Sequence, residues 1–210
     1  MTIQVTGSNP VNSTLKMNRT QTYQLLTKHL HNKNLVKHCL ATEAAMEGIY
    51  NHLYQGKSSY ARATADKWKI TGLLHDVDYE IAQAKNGLDH HGLLIFDIEP
   101  DVIPEDIAYA IKSHNFHNTK VLPKSDMDWA VTTVDGLTGL IVSCALIHPE
   151  KKLTPLTPKF VLKRFGQTAF SRGVDREIIK LCEEKLNIPL EKFITITLIS
   201  MQSVHADLGL

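Results

Sequence analysis

Histidine is over-used in this chain, with eleven in 210 residues, and several of them fall where helical periodicity calls for an apolar side chain. His38 follows Leu35 by three residues and precedes Ala45 and Ile49 by seven and eleven, so it points near the apolar face of its helix. His75 and Asp76 close the segment WKITGLLHD, directly after Leu73 and Leu74. His91 shares a face with Leu94, Ile95 and Ile98, and His114 falls in line with Ile107 and Ile111. Asp135 is the only charge between Trp129 and Ile147. An ionised carboxylate buried without a partner costs several kcal/mol or is neutralised by a raised pKa. Asp135 therefore needs compensation.

A divalent metal ion would compensate all six groups together. Neutral imidazole and carboxylate suit iron, manganese, zinc or cobalt, and the helices of a bundle can each project one ligand inward from distant parts of the sequence. His38, His75, Asp76 and Asp135 supply two imidazoles and two carboxylates for one ion. His91 and His114 can hold a second, with Asp76 as the bridge. Each residue alone has a plainer reading. A lone histidine on an apolar stripe is more often a core residue than a ligand. Asp135 can bond the hydroxyls of Thr132 and Thr138, and an adjacent His–Asp pair is common by chance. Six such groups on different helices favour the metal, but spacing alone leaves both readings open.

The elements that must position these groups read as helices. Leu35, Cys39, Thr42, Met46, Ile49 and Leu53 step by three and four. A second helix spans roughly Arg62 to Asp76, and a shorter one carries His91 to Ile98. Pro104, Glu105 and Asp106 start the helix of His114, since proline suits a first turn and carboxylates its positive end. Ser125 or Asp126 caps the long helix of Asp135. Its apolar run resembles a membrane span, but Asp135, four Ser/Thr and two Gly fit a buried core helix better. Pro149, Pro155 and Pro158 mark a connector before helices at about Asp175–Leu186 and Pro189–Leu208. The β-branched run FITITLIS tempts a strand, yet Leu190, Phe193, Ile194, Leu198 and Met201 keep the 3.6-residue period. There is no strand–helix alternation, glycine-rich phosphate loop, repeat or low-complexity tract, so the expectation is an all-α fold, a compact multi-helix bundle with the metal site in its core. Residues 1–18 read as a flexible extension, with Met17 as an alternative start. Residues 19–148 read as the metal-binding core, and 149–210 as C-terminal helices packed on the same domain.

Composition narrows the function. With 23 basic against 22 acidic residues the net charge is +1, too even for bulk attraction to nucleic acid or an acidic membrane. Aromatic residues make up only 7%, too few for a base-stacking platform. Cys39, Cys144 and Cys182 show no paired spacing, which suggests a reducing compartment. The first sixteen residues are polar and lack the apolar segment of a secretory signal. The expectation is a cytoplasmic protein, monomer or homodimer, with a small anionic partner. Residues 150–180 hold eight basic and three acidic side chains, so Arg164, Arg172 and Arg176 are candidates for binding an anionic substrate, against the plainer reading of a solvated basic face.

The order His, His-Asp, two histidines, then Asp on an apolar helix resembles the HD superfamily of metal-dependent phosphohydrolases. The segments carrying it are LVKHCLATEAAM, LLHDVDYE, HHGLLIF, AIKSHN and VDGLTGLI, over roughly Leu35 to Leu146. More narrowly, HDVDYE, SHN, DGLTGLIV and FGQTAFSRGVDR are similar to small stand-alone bacterial HD-domain proteins described only as predicted hydrolases. The resemblance implies that His38, His75, Asp76 and Asp135 are the core metal ligands. It implies that His91 and His114 are the extra pair of dinuclear members, with the neighbouring His90 as the alternative to His91. Many members carry a phosphate-contacting lysine shortly after HD, where this chain has Asp78, Tyr79 and Glu80.

The implied activity is hydrolysis of a phosphate ester or anhydride, of a nucleotide or dinucleotide, by metal-activated water. One or two divalent ions are expected, iron or manganese first, with zinc, cobalt or magnesium as alternatives. Asp76 stands at the reacting centre, Asp78 is a candidate to orient or deprotonate the nucleophile, and Lys112 is a candidate to reach a substrate oxygen. Two other classes share the ligand set: a di-iron oxygenase of the HD fold, and a metal-bearing binding module without turnover.

Overall fold

A computed structural model describes residues 17–55, 61–85 and 87–210, and among them the chain is all-α with no strand. The flexible extension expected over residues 1–18 lies, through residue 16, outside the described residues. Its last two residues belong to the fold. Met17 is buried, and the Asn18 side chain accepts from Gln21 N–H while Gln21 reaches back to the Asn18 N–H. This capping box opens a helix missing from the sequence expectation, α1 (Arg19–His29). Arg19 then forks onto both oxygens of buried Glu43, at 2.6 and 2.9 Å, clasping α1 to the next helix.

That helix, α2 (Lys33–Tyr54), is the axis of the molecule. Its run ATEAAM presents small side chains on several faces, so neighbours pack close all round: Ala41, Thr42, Ala45, Met46 and Ile49 are all fully buried. The closest neighbour is α3 (Ala61–Leu74). A Cβ on Gly72 would lie 2.7 Å from the Thr42 carbonyl oxygen and 2.9 Å from Glu43 Cα, so only glycine lets the two backbones approach this closely. After α3 come α4 (Tyr79–Ala84), a 3-10 turn at Leu88–His90, α5 (Ile95–Ile98), α6 (Glu105–His114) and α7 (Phe116–Thr119). Pro104 sits one position before α6 rather than in its first turn, and Ser125, not Asp126, caps α8 (Asp126–Ile147).

α8 is long and apolar enough to cross a membrane by length and composition. Most of it is nonetheless buried by packing against α2, α6 and the C-terminal helices, as a core helix requires. The proline-marked connector contains a helix of its own, α9 (Pro158–Phe165). Thr157 caps it and Pro158 takes the first helical position, where its missing N–H is no loss. α10 (Arg176–Leu186), α11 (Leu190–Ser203) and α12 (His205–Leu208) close the bundle. FITITLIS is helical, with Phe193, Ile194, Thr197, Leu198 and Met201 on the buried face. Among the described residues two apolar cores result, one joining α2, α8, α10 and α11, the other joining α1, α3, α6 and the segment after α3. The polar cluster lies between them.

The α2–α3 seam yields a test. Gly72→Ala forces two backbones apart where no flexible side chain can give way, so it should cost about 1–3 kcal/mol of unfolding free energy. A chemical denaturation midpoint equal to that of the unaltered protein would show that the seam is looser than its 2.7 Å contact implies.

Candidate metal centre

α3 ends at Leu74, two residues short of the expected Asp76, and the chain tightens through 75–78 with bonds from Val77 N to Leu74 O and from Tyr79 N to Asp76 O. This turn swings His75 and Asp76 inward together, and both are buried. The two Asp76 oxygens then face different histidine pairs. Oδ2 lies 3.6 Å from His38 Nε2 and 3.5 Å from His75 Nε2. Oδ1 lies 3.7 Å from His91 Nε2 and 3.6 Å from His114 Nε2. Asp135 Oδ1 joins the first pair, 2.9 Å from His38 Nε2 and 3.6 Å from His75 Nε2. The structure thus gathers all six residues singled out as ligands into two groups that share Asp76.

Each imidazole is oriented through its other nitrogen. Nδ1 of His75, His91 and His114 donates to the carbonyl three residues earlier, Gly72, Leu88 and Ile111, at 2.9, 2.5 and 2.5 Å. Thr138 Oγ1 gives its proton to the Asp135 carbonyl at 2.8 Å, which leaves its lone pair for His38 Nδ1–H at 3.1 Å. These contacts favour the proton on Nδ1, although at His91 the Asn115 amide also lies 3.1 Å from Nδ1, and all four rings turn Nε2 toward the carboxylates, the arrangement that prepares histidine to bind a metal. The plainer reading of Asp135 fails on the same evidence. Thr138 bonds the Asp135 backbone, and Thr132 bonds the Asp128 carbonyl, so neither hydroxyl serves the Asp135 carboxylate.

Three observations show that this donor set fits a divalent ion. His38 and His75 bring their Nε2 atoms within 3.1 Å of each other, a spacing satisfied either by a proton shared between them or by a cation bound to both lone pairs. His114 Nε2 is buried with no hydrogen-bond partner. The separations of 3.5–3.7 Å around Asp76 are too long for hydrogen bonds. Ligands bonded at about 2.1 Å to one ion stand roughly 3.0 Å apart in an octahedron and 3.4 Å apart in a tetrahedron, near the observed spacings. Electrostatics agree. Burial disfavours charge on Asp76, yet the histidines, His75 foremost, hold its carboxyl well below the usual range. Burial likewise opposes ionisation of Asp135, and His38 and His75 overcome it. His75 is pulled down by burial but raised by Asp76 and Asp135, to about 9. The pocket holds two carboxylates charged and calls for positive charge among the imidazoles.

His91, not His90, faces Asp76; His90 is exposed on the 3-10 turn. Gly92 decides this geometry. Its φ of +86° suits glycine, and a Cβ there would lie 3.1 Å from the His114 ring. Asp78 pins the same loop. It is fully buried, and its two oxygens accept from Gly92 N–H at 2.7 Å and Ile95 N–H at 3.0 Å. The role expected for it, orienting or deprotonating a nucleophile, is corrected to positioning, because both oxygens are spent on backbone. Glu80 acts in the same way, accepting from His31 and Asn32 N–H at the start of α2. Asn115, unremarked in the sequence, donates to the His91 carbonyl at 3.3 Å. The SHN segment that carries it was the available signal.

The basic candidates go elsewhere. Lys112 Nζ lies 4.4 Å over the Phe96 ring, away from the cavity beside the cluster. Arg176 turns its guanidinium onto the carbonyls of Phe165, Gln167, Phe170, Ser171 and Val174, where it folds the loop before α10. Arg164 bonds Gln167 beside Phe160 and Phe170. Arg172 is exposed and does not line the cavity. Cys39, next to His38, is fully buried. Burial, with Asp76 and Asp135 nearby, raises its thiol well above the ordinary value, so it stays a neutral core residue.

No protein-family model, curated protein or solved structure matches the chain.

The Asp78 clamp can be tested without any metal. Asp78→Asn swaps a double acceptor for a group whose amide must face a backbone N–H, a loss of about 1–3 kcal/mol. Amide hydrogen exchange should quicken at Gly92 and Ile95 more than in α2. Uniform quickening across the chain would show a general stability loss rather than a clamp on the His91 loop.

Proposed function

We propose that the chain is a metal-dependent hydrolase of a phosphate ester or anhydride, with His38, His75, Asp76 and Asp135 holding one divalent ion and Asp76, His91 and His114 a second. The observation that carries this reading is the division of Asp76, one oxygen toward each histidine pair. Iron and manganese suit the mixed imidazole–carboxylate donors best, with zinc, cobalt and magnesium as alternatives. A bound divalent ion supplies hydroxide near neutral pH and polarises a phosphoryl oxygen.

The chain's own residues do the rest. Thr138, Gly72, Leu88 and Ile111 fix the imidazole tautomers. The interior position of Asp76 and His75 keeps bulk water from the shared carboxylate. Asp135, about one-third exposed, forms the boundary between the ligand cluster and an open cavity where a substrate can enter. The resemblance to the HD superfamily of phosphohydrolases is what supports phosphoryl hydrolysis, since the ligand set itself is shared with di-iron oxygenases of the same fold. Asp78 and Glu80 stand where many members of that superfamily carry a phosphate-contacting lysine, and in this chain both bind backbone amides.

Elemental mass spectrometry on protein purified without added metal or chelator tests the proposal. About two divalent ions per chain are expected, falling to about one in His114→Gln and to nearly none in Asp76→Ala, because that change removes the ligand common to both sites. Release of phosphate from phosphate esters by manganese-loaded protein under nitrogen completes the expectation. Absence of metal after reconstitution would overturn the site, and dioxygen uptake by iron-loaded protein without phosphate release would replace hydrolysis by oxidation.

A further inference from the structure

The cavity beside the ligand cluster, about 340 Å³, has a wall chemistry that restricts what can be hydrolysed there. One wall is a single face of α8, with Thr132, Asp135, Gly136 and Gly139 spaced as i, i+3, i+4 and i+7. A Cβ on Gly139 would meet nothing within 4 Å, and one on Gly136 would make ordinary contact with Val174 and Ile179. Neither backbone forces glycine, since both residues lie within a regular helix and neither has a positive φ. Glycine within a helix costs stability relative to alanine; Gly139 provides open room in exchange, whereas Gly136 lets Val174 and Ile179 of the facing segment pack against α8. Val174, Ile178 and Ile179 form an apolar wall opposite. At the base, buried His114 Nε2 faces in without a partner.

Charge is as telling as shape. Among the described residues no lysine or arginine lines the cavity, while Asp135 and Asp175 do. The positive end of α10 is already occupied, because the Asp175 carboxylate accepts from Glu177 and Ile178 N–H. A second phosphate placed in this slot would lie beside two carboxylates with no lysine or arginine to offset them, Asn115 and His117 being the other polar side chains of the lining outside the ligand cluster and Thr132.

Resting on the hydrolase reading, we infer that the substrate is a phosphomonoester with a single phosphoryl group and a compact, uncharged, largely apolar body. The phosphoryl group sits at the imidazole–carboxylate base, and the body lies beside Gly139 in the slot that Val174 and Ile178 also line. In the reaction the water oxygen bonds to phosphorus, the ester P–O bond breaks, and the alcohol leaves with a proton from that water. Dinucleotides and nucleoside polyphosphates are poor substrates.

The test uses the full-length, manganese-loaded protein with metal content verified. Calorimetric titrations compare inorganic phosphate, phenylphosphonate, and the non-hydrolysable α,β-methylene analogue of adenosine diphosphate. Phenylphosphonate should bind about tenfold more tightly than either of the others, a difference of about 1.4 kcal/mol. Gly139→Leu fills the slot with a better helix former. It should abolish the preference for phenylphosphonate while leaving metal content and phosphate affinity unchanged. Ile178→Ser removes part of the opposite wall and should weaken phenylphosphonate in the same sense, so the inference stays exposed if the leucine variant does not fold. Equal affinity for phosphate and phenylphosphonate, or tightest binding of the diphosphate analogue, would overturn the substrate class and leave the hydrolase standing. Failure of metal-loaded protein to bind either phosphate or phenylphosphonate would remove the hydrolase reading itself, and the inference with it.

Discussion

A carboxylate taken out of water must be surrounded by positive charge or by hydrogen-bond donors, and Asp76 has four imidazoles around it, two to each oxygen. Much of the fold can be understood as the means of bringing those rings from four separate segments to one carboxyl group. α3 must stop at Leu74 so that His75 and Asp76 turn inward together. Gly72 lets α3 lie against the backbone of α2, and its carbonyl orients the His75 ring. α6 ends on His114, and the left-handed Gly92 leaves space for that ring. Remove any one of these and a buried charge loses part of its shell, which costs far more than an ordinary surface contact.

The segment HDVDYE carries this organisation further than its first two residues. Asp78 and Glu80 each spend both carboxylate oxygens on pairs of backbone amides, one pair in the His91 loop and one at the start of the helix that carries His38. Six consecutive residues thus supply two groups of the cluster and tie down the segments bearing two others. Charge-assisted bonds to backbone are stronger than neutral ones, and here they add to the core packing of Leu30 and Ile95 in the same segments. The geometry at Asp76 is consequently rigid from both sides without any contribution from disulfides, since the three cysteines are free and buried.

Much of this was legible in the sequence. The histidines and Asp135 announced themselves because they break an apolar period, and periodicity is a local property that one chain displays in full. Helicity of FITITLIS was readable for the same reason. α1 was not, although Asn18 and Gln21 spell a capping box, because its apolar stripe is short and sits behind a polar leader. α9 was hidden by prolines that read as breaks, when Pro158 was a helix start. The roles of Asp78, Arg176 and Lys112 could not be read at all. Where a long or charged side chain turns depends on which backbone groups from elsewhere are left unpaired nearby, and that is settled only by the packed structure. The choice between His90 and His91 was in between: His91 shares a face with Leu94, Ile95 and Ile98 in the sequence, and the positive φ of Gly92 after it belongs to the loop that turns it toward Asp76.

The basic stretch 150–180 shows how formal charge can mislead. Eight basic side chains against three acidic ones suggest a landing surface for anions, yet Arg176 points inward to hold five carbonyls and none of the others lines the cavity among the described residues. The field at the site is set instead by Asp76, Asp135 and Asp175 against the imidazoles. With only those groups present the cavity mouth is a poor place for an anion, because two carboxylates face it and the end of α10 is already capped. Divalent cations among the imidazoles would reverse the sign of that field at its base. On this electrostatic ground, anion binding and metal loading are thermodynamically linked: whatever raises the occupancy of the cluster by metal raises its affinity for an anion, and an anion bound at the base holds the metal in return.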